Sequence, residues 1–255
     1  MIVSIVNQKG GVGKTTTAVN LADQLARRKQ RVLLIDLDPQ GNATSSFGLD
    51  KNKQELTIYD SIINQVPLKD VIVSEIRKNL DIVPANIDLA GAEIEMVSIV
   101  SRETILDSLI DEEISNGYEI ILIDCAPSLG LLTINALAAS DSILIPIQAE
   151  YYALEGVTQL INTFNMVKES LNPDISIFGI LITMYDTRTQ LSRQVAEEIN
   201  KFFDAYVFKT IIPRNVRLSE APSYGIPIQE HDKWSKGARA YKALAREFIS
   251  KMDQI

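Results

Sequence analysis

The chain is poor in cysteine, histidine and tryptophan, with one of each in 255 residues. A single thiol, Cys125, excludes an internal disulfide and fits a reducing compartment. No stretch reaches the ~18 uninterrupted apolar residues of a membrane-spanning helix. The first residues, Met1-Ile2-Val3-Ser4-Ile5-Val6, carry no basic segment ahead of the apolar run. They read as a strand and not a secretion signal, so a soluble, cytoplasmic protein is expected. Low-complexity tracts, internal repeats and Pro-, Gly- or Ser-rich linkers are also lacking, and residues 1–255 read as one domain. What is present is 46% apolar, enough to bury a core without a disulfide or metal staple.

Acidic residues outnumber basic ones, for a net charge of −8, which at first argues against an anionic partner. The excess is uneven. Residues 188 to 255 hold 12 Lys and Arg against 8 Asp and Glu, whereas residues 1 to 187 hold 13 against 25. A basic final quarter on an acidic body allows a local positive patch, although solvated helix faces give the same balance.

Short Ile-, Val- and Leu-rich runs alternate with longer amphipathic stretches. Strands are predicted at Ile2–Asn7, Arg31–Asp36, Leu80–Pro84, Ile120–Asp124, Ser142–Pro146, Ser176–Thr183 and Tyr206–Ile212. Helices are predicted at Lys14–Lys29, Arg102–Asn116, Leu131–Ala139, Leu154–Ser170, Arg193–Phe203 and Ala238–Met252. The strands lack strict alternation, as expected when both faces are covered. Alternating elements predict an α/β fold: a doubly wound, mostly parallel β-sheet flanked by helices, with ligands at the carboxyl ends of its strands.

The first strand runs into Lys9-Gly10-Gly11-Val12-Gly13-Lys14-Thr15-Thr16, and a helix follows at once. Glycines let backbone N–H groups converge on phosphate oxygens, and the helix N-terminus adds its positive dipole end. In such a phosphate loop Lys14 reaches the β- and γ-phosphates and the Thr15 hydroxyl ligates Mg²⁺. ATP is the expected ligand. The strict pattern would place glycine at position 8, where the chain has Gln8; the loop carries an extra lysine, Lys9. Asp124 ends a buried run, where a Walker-B aspartate contacts Mg²⁺, usually through water. Asp36 and Asp38 end another. Asp38, further out, is the candidate for orienting the attacking water; Asp36 reads equally as a supporting contact to Mg²⁺-bound water or as a turn former.

These residues carry a resemblance. The loop Lys9–Thr16 resembles the deviant Walker-A loop of the ParA/MinD superfamily of P-loop ATPases. With Asn7–Ala22, Asp36–Thr44, Asp124–Ser128, Glu150–Gly156, Thr183–Thr189 and Ile212–Pro222, the chain is similar to chromosomal-type ParA (Soj) partitioning ATPases over nearly its whole length. The resemblance implies a Mg²⁺-dependent ATPase, slow and partner-stimulated, that forms an ATP-dependent sandwich homodimer. Lys9 would cross to the partner's ATP, and Pro213 and Asn215 would hold the adenine ring. Arg188 and Arg217 would bind double-stranded DNA nonspecifically, giving nucleoid association, and a ParB-type centromere-binding protein would be the partner. Larger relatives carry an N-terminal helix-turn-helix domain; here the chain starts directly on the first strand, so operator binding is not expected.

A MinD-like membrane cycle is the alternative, and would need the amphipathic C-terminal helix to leave the body. Its spacing of Ala238, Tyr241, Leu244, Ala245, Phe248, Ile249 and Met252 equally suits a docked helix, so no stable membrane association is expected. A four-iron cluster bridging a dimer is excluded by the single cysteine. A small-molecule kinase would need an arginine-rich lid, and none is recognisable. His231, beside Glu230 and Asp232, reads as an ion-pair partner, and Trp234 as packing the last helix onto the body.

Overall fold

The computed structural model describes residues 1–150 and 153–254; of residues 153–156 the helical backbone alone is described. Seven strands form one sheet: β1 (Ile2–Ile5), β2 (Val32–Leu37), β3 (Val73–Arg77), β4 (Leu80–Val83), β5 (Ile120–Cys125), β6 (Ser142–Gln148) and β7 (Ser176–Thr183). They lie in the order β3-β4-β2-β5-β1-β6-β7, all pairs parallel except β3 with β4.

Both faces of the sheet are covered, which is why its inner strands carry apolar residues without alternation. In β2, Leu33, Ile35 and Leu37 enter one core while Val32 and Leu34 enter the other. Helices Lys14–Ala26 and Lys236–Met252 close one face through Ala18, Leu21, Leu25, Tyr241, Leu244 and Phe248. Helices Leu131–Ala138, Ala153–Ser170 and Gln190–Phe203 close the other through Leu132, Ala136, Leu160, Phe164, Val195 and Ile199. The order places β1 between β5 and β6, so the loop after β1 and the carboxyl end of β5 adjoin at the crevice where such sheets bind ligands.

Three expectations about elements fail. Tyr206–Ile212 forms no strand. It lies along β7 with an isolated parallel bridge at Val207 and with Phe208 N–H donating to Ile180 O and Ile212 N–H to Ile182 O, while the amides of Lys209 and Thr210 donate to the Glu247 carboxylate at 2.7 and 2.9 Å. That carboxylate takes the donors a ladder would use. Arg102–Asn116 is two short helices, Ile105–Leu109 and Glu112–Gly117, because Asp111 begins the second by accepting the Ile114 amide. Edge strand β3 escapes prediction: its sequence Val-Ser-Glu-Ile-Arg is polar, half exposed and bulged against β4.

Candidate active site

The phosphate loop is held from three sides. Asn7 donates to Pro146 O on β6 and accepts the Lys9 amide, at 2.8 and 2.9 Å. The Thr183 hydroxyl, at the end of β7, donates to Val12 O at 2.8 Å. Gly13 takes φ +93° as the chain enters helix Lys14–Ala26, a conformation that favours glycine. The buried Lys14 amine points back and donates to Lys9 O at 3.1 Å. Burial lowers the Lys14 pKa, and the nearby Asp124 carboxylate opposes the shift. Lys9 is half-buried, and its ammonium enters no hydrogen bond or ion pair among the described residues. Asn7 and Thr183 fall within the resembling stretches, but nothing in composition or spacing marks them as loop clamps.

The carboxylates differ sharply. Asp124 pairs in register with Ile5 on β1 and with Asp36 on β2. It is fully buried, and neither carboxylate oxygen has a hydrogen-bond partner among the described residues. Burial raises its pKa, as does the Asp36 charge; the nearby Thr15 hydroxyl opposes this without completing a bond by distance and angle. Asp36 is equally buried but fully used, accepting the Thr44 amide and hydroxyl at 2.8 and 2.7 Å and the Asp38 amide at 3.3 Å. It fixes the loop; the turn-forming reading describes it. Asp38 is 6% exposed and accepts the Gln40 amide, and Gly41 N–H returns to Asp38 O.

A buried carboxylate without a partner, facing a threonine hydroxyl, fits a hard cation such as Mg²⁺ that keeps most of its waters. No group of three or more His, Cys, Asp or Glu among the described residues could hold a metal alone. Thr15, Asp124, phosphate oxygens and water would make up the set.

Beside the loop lies a cavity of about 230 Å³ lined by Gly13, Thr16, Thr183, Pro213, Asn215 and Tyr241, among others. Asn215 Oδ1 is buried there without a partner, so the pocket offers an acceptor to an amino group. Asn20 links this region to the chain beyond, donating to Thr16 O and accepting the Ile228 amide at 2.7 and 2.8 Å.

Arg188 and Arg217 stand apart from the loop, on the surface. Their segments run together: Tyr185 N–H donates to Ile212 O and Arg214 N–H to Tyr185 O. Each arginine is paired within the chain, Arg188 with Asp186 at 2.7 Å and Arg217 with Glu220 at 2.8 Å and Asp232 at 3.7 Å. One expectation is corrected. Trp234 does not pack the last helix but is 75% exposed, because Ser235 caps that helix and Gly237 seats against Leu218 in its place. His231 is the ion-pair partner expected, meeting Glu220 at 3.3 Å under the Tyr224 ring. Tyr151 and Tyr152 of the Glu150–Gly156 stretch lie outside the described residues.

Comparison with known proteins agrees with this geometry. A family described as an AAA domain matches residues 1–177. The chain is 55% identical over 246 residues to the sporulation initiation inhibitor protein Soj of Bacillus subtilis, covering 96% of this chain and 97% of that one. It is 50% identical to the chromosome partitioning protein ParA of Myxococcus xanthus, over 98% and 88% of the two chains. Among solved structures, cobyrinic acid a,c-diamide synthase from Mycobacterium smegmatis with bound ATP analog and magnesium superposes with a TM-score of 0.86. It is 34% identical over 99% of this chain and 95% of that one.

Proposed function

The chain belongs to the Soj/ParA family of chromosome-partitioning ATPases, and from that premise we propose that it dimerises on ATP, binds duplex DNA nonspecifically in that state, and segregates a chromosome or plasmid with a ParB-type partner. ATP with Mg²⁺ occupies the site built on Lys9–Thr16, its adenine in the cavity beside Pro213 and Asn215. Thr15 and, through water, Asp124 would hold the Mg²⁺, which would supply neutralising charge to the phosphates.

The chain's own residues do the rest. Lys14 leaves Lys9 O for the phosphates, and the loop amides and helix N-terminus stabilise the charge that develops on them. Asp38 accepts a hydrogen bond from the attacking water and orients it. Lys9, reaching across the dimer, meets the partner's transferred phosphoryl group, so hydrolysis waits for assembly. The observation that carries this reading is the Lys9 ammonium itself, without an ion pair among the described residues in a loop whose other lysine is buried and hydrogen-bonded.

DNA binding is phosphate neutralisation by Arg188 and Arg217, doubled by the dimer. Both guanidiniums are exposed, so a phosphate competes with Asp186, Glu220 and Asp232 for them. A membrane cycle would require release of the final helix, yet its apolar side is buried at Tyr241, Leu244, Ala245 and Phe248. No helix among the described residues is long and apolar enough to cross a membrane.

The test is duplex binding with ATP, with ADP and without nucleotide, beside liposome sedimentation. The expected result is DNA binding in ATP alone and no lipid binding. ATP-independent DNA binding, or lipid binding without DNA binding, refutes the proposal.

A further inference from the structure

The final helix, Lys236–Met252, is lopsided in charge: Lys236, Arg239, Lys242, Arg246 and Lys251 against the single acid Glu247. Four of these are exposed and spaced three, three and four apart, so Lys236, Arg239, Lys242 and Arg246 share one side of the helix. At 1.5 Å per residue the row is about 15 Å long. None of the four pairs with a carboxylate among the described residues, whereas both Arg188 and Arg217 do. Lys251 lies off the row, over the Phe208 ring, and Glu247 is occupied by the Lys209 and Thr210 amides. Uncompensated like charges in a row cost the free protein repulsion, which an anionic partner relieves.

The row begins beside an exposed aromatic side chain. Trp234 is 75% exposed, Lys233 lies 5.3 Å from its ring centre, and the Arg239 guanidinium donates to its carbonyl at 2.8 Å. The row also adjoins Arg217: that side chain lies 3.7 Å from Asp232, which in turn accepts the Trp234 amide at 3.1 Å. The opposite side of the helix is locked in the core, so the basic side faces outward on a rigid element.

We infer that Lys233, Trp234 and the row Lys236–Arg239–Lys242–Arg246 form a second DNA-backbone contact, continuous with Arg217, along which the duplex lies. The inference rests on the nonspecific DNA binding proposed above and adds the helix as its main track. A duplex suits the row better than an anionic bilayer because the helix offers charge without a releasable apolar side, and insertion needs both. It suits it better than an acidic peptide because an evenly spaced linear row matches a regular line of phosphates.

Trp234 is the sole tryptophan of the chain, so its emission reports on this surface alone. A labelled 30-base-pair duplex of arbitrary sequence is titrated into the ATP-bound protein while anisotropy and tryptophan emission are followed together. Emission is expected to change in step with anisotropy. The triple variant Lys236→Gln/Arg239→Gln/Lys242→Gln is expected to bind roughly tenfold or more weakly near 0.15 M salt, with a salt slope smaller by about 2 to 3. If the unmodified protein saturates the duplex with no change in emission, the contact is elsewhere and the inference fails; this reading stands even where the variant does not fold. A folded variant with unchanged affinity and slope also overturns it. Absence of ATP-dependent binding in the unmodified protein is a separate result, and defeats the proposed function itself. Binding of phosphatidylglycerol vesicles through the same row, with duplex affinity unaffected by the variant, overturns the inference in favour of a membrane.

Discussion

Asp36 and Asp124 stand opposite one another on adjacent parallel strands, both fully buried, yet Asp36 accepts three hydrogen bonds and Asp124 none. One carboxylate is a loop anchor; the other has no hydrogen-bond partner among the described residues. Burial raises the pKa of both; the Asp36 charge adds to the rise at Asp124, and the Asp38 charge adds to that at Asp36.

Burial pushes the Asp36 carboxyl up from 3.8 to about 6. The folded chain therefore holds this proton over a window in which the unfolded chain has lost it. Its contribution is present below about pH 4 and is lost as pH rises through about 6. The stability of the wild type minus that of Asp36→Asn, from urea unfolding without nucleotide, is expected to fall by about 3 kcal/mol across this window. Parallel pH profiles for the two proteins would contradict the assignment.

An unpartnered buried carboxylate destabilises the fold that carries it. Asp124→Asn is expected to raise the melting temperature of the nucleotide-free protein by several degrees while lowering ATP turnover by about 10²-fold or more. A variant that melts lower than wild type would mean that Asp124 has a structural partner.

Gly41 sits at φ +58°, and a Cβ there would lie 2.6 Å from Ala85 O, a backbone atom that cannot turn aside. Gly41→Ala is expected to cost about 2 to 3 kcal/mol in chemical unfolding. Because its amide closes the turn at Asp38, turnover should fall with it. Stability within about 0.5 kcal/mol of wild type would refute the steric argument.

Asp186 grips Arg188 through the backbone amide and two guanidinium nitrogens, which holds its carboxyl well below the usual range. Asp186→Asn frees the guanidinium and removes a negative charge from the surface. ATP-state affinity for duplex DNA is expected to rise roughly threefold at moderate salt, by fluorescence anisotropy. Weaker binding would show that Asp186 orients Arg188 toward DNA in place of restraining it.

Asp38→Ala should keep ATP-dependent assembly and DNA binding and lose turnover by about 10²-fold, read by phosphate release beside light scattering. Normal turnover would remove Asp38 from its water-orienting role.

The amino-acid sequence by itself determined the central sheet, because buried parallel strands must be continuous apolar runs, and six of the seven stand near their predicted positions. It also determined the phosphate loop, since Gly10, Gly11, Gly13, Lys14 and Thr15 act through local backbone geometry next to one strand and one helix. Tertiary structure decided everything that depends on who sits opposite whom. It set Asp36 apart from Asp124, which no spacing along the chain distinguishes, by bringing Thr44 to only one of them. It kept Tyr206–Ile212 from completing a ladder with β7 by offering Glu247, 37 residues from Thr210, to its amides. And it put Trp234 into solvent beside a basic row whose freedom from ion pairs cannot be read from charge counts, because a charge is free or paired only once its neighbours in space are fixed.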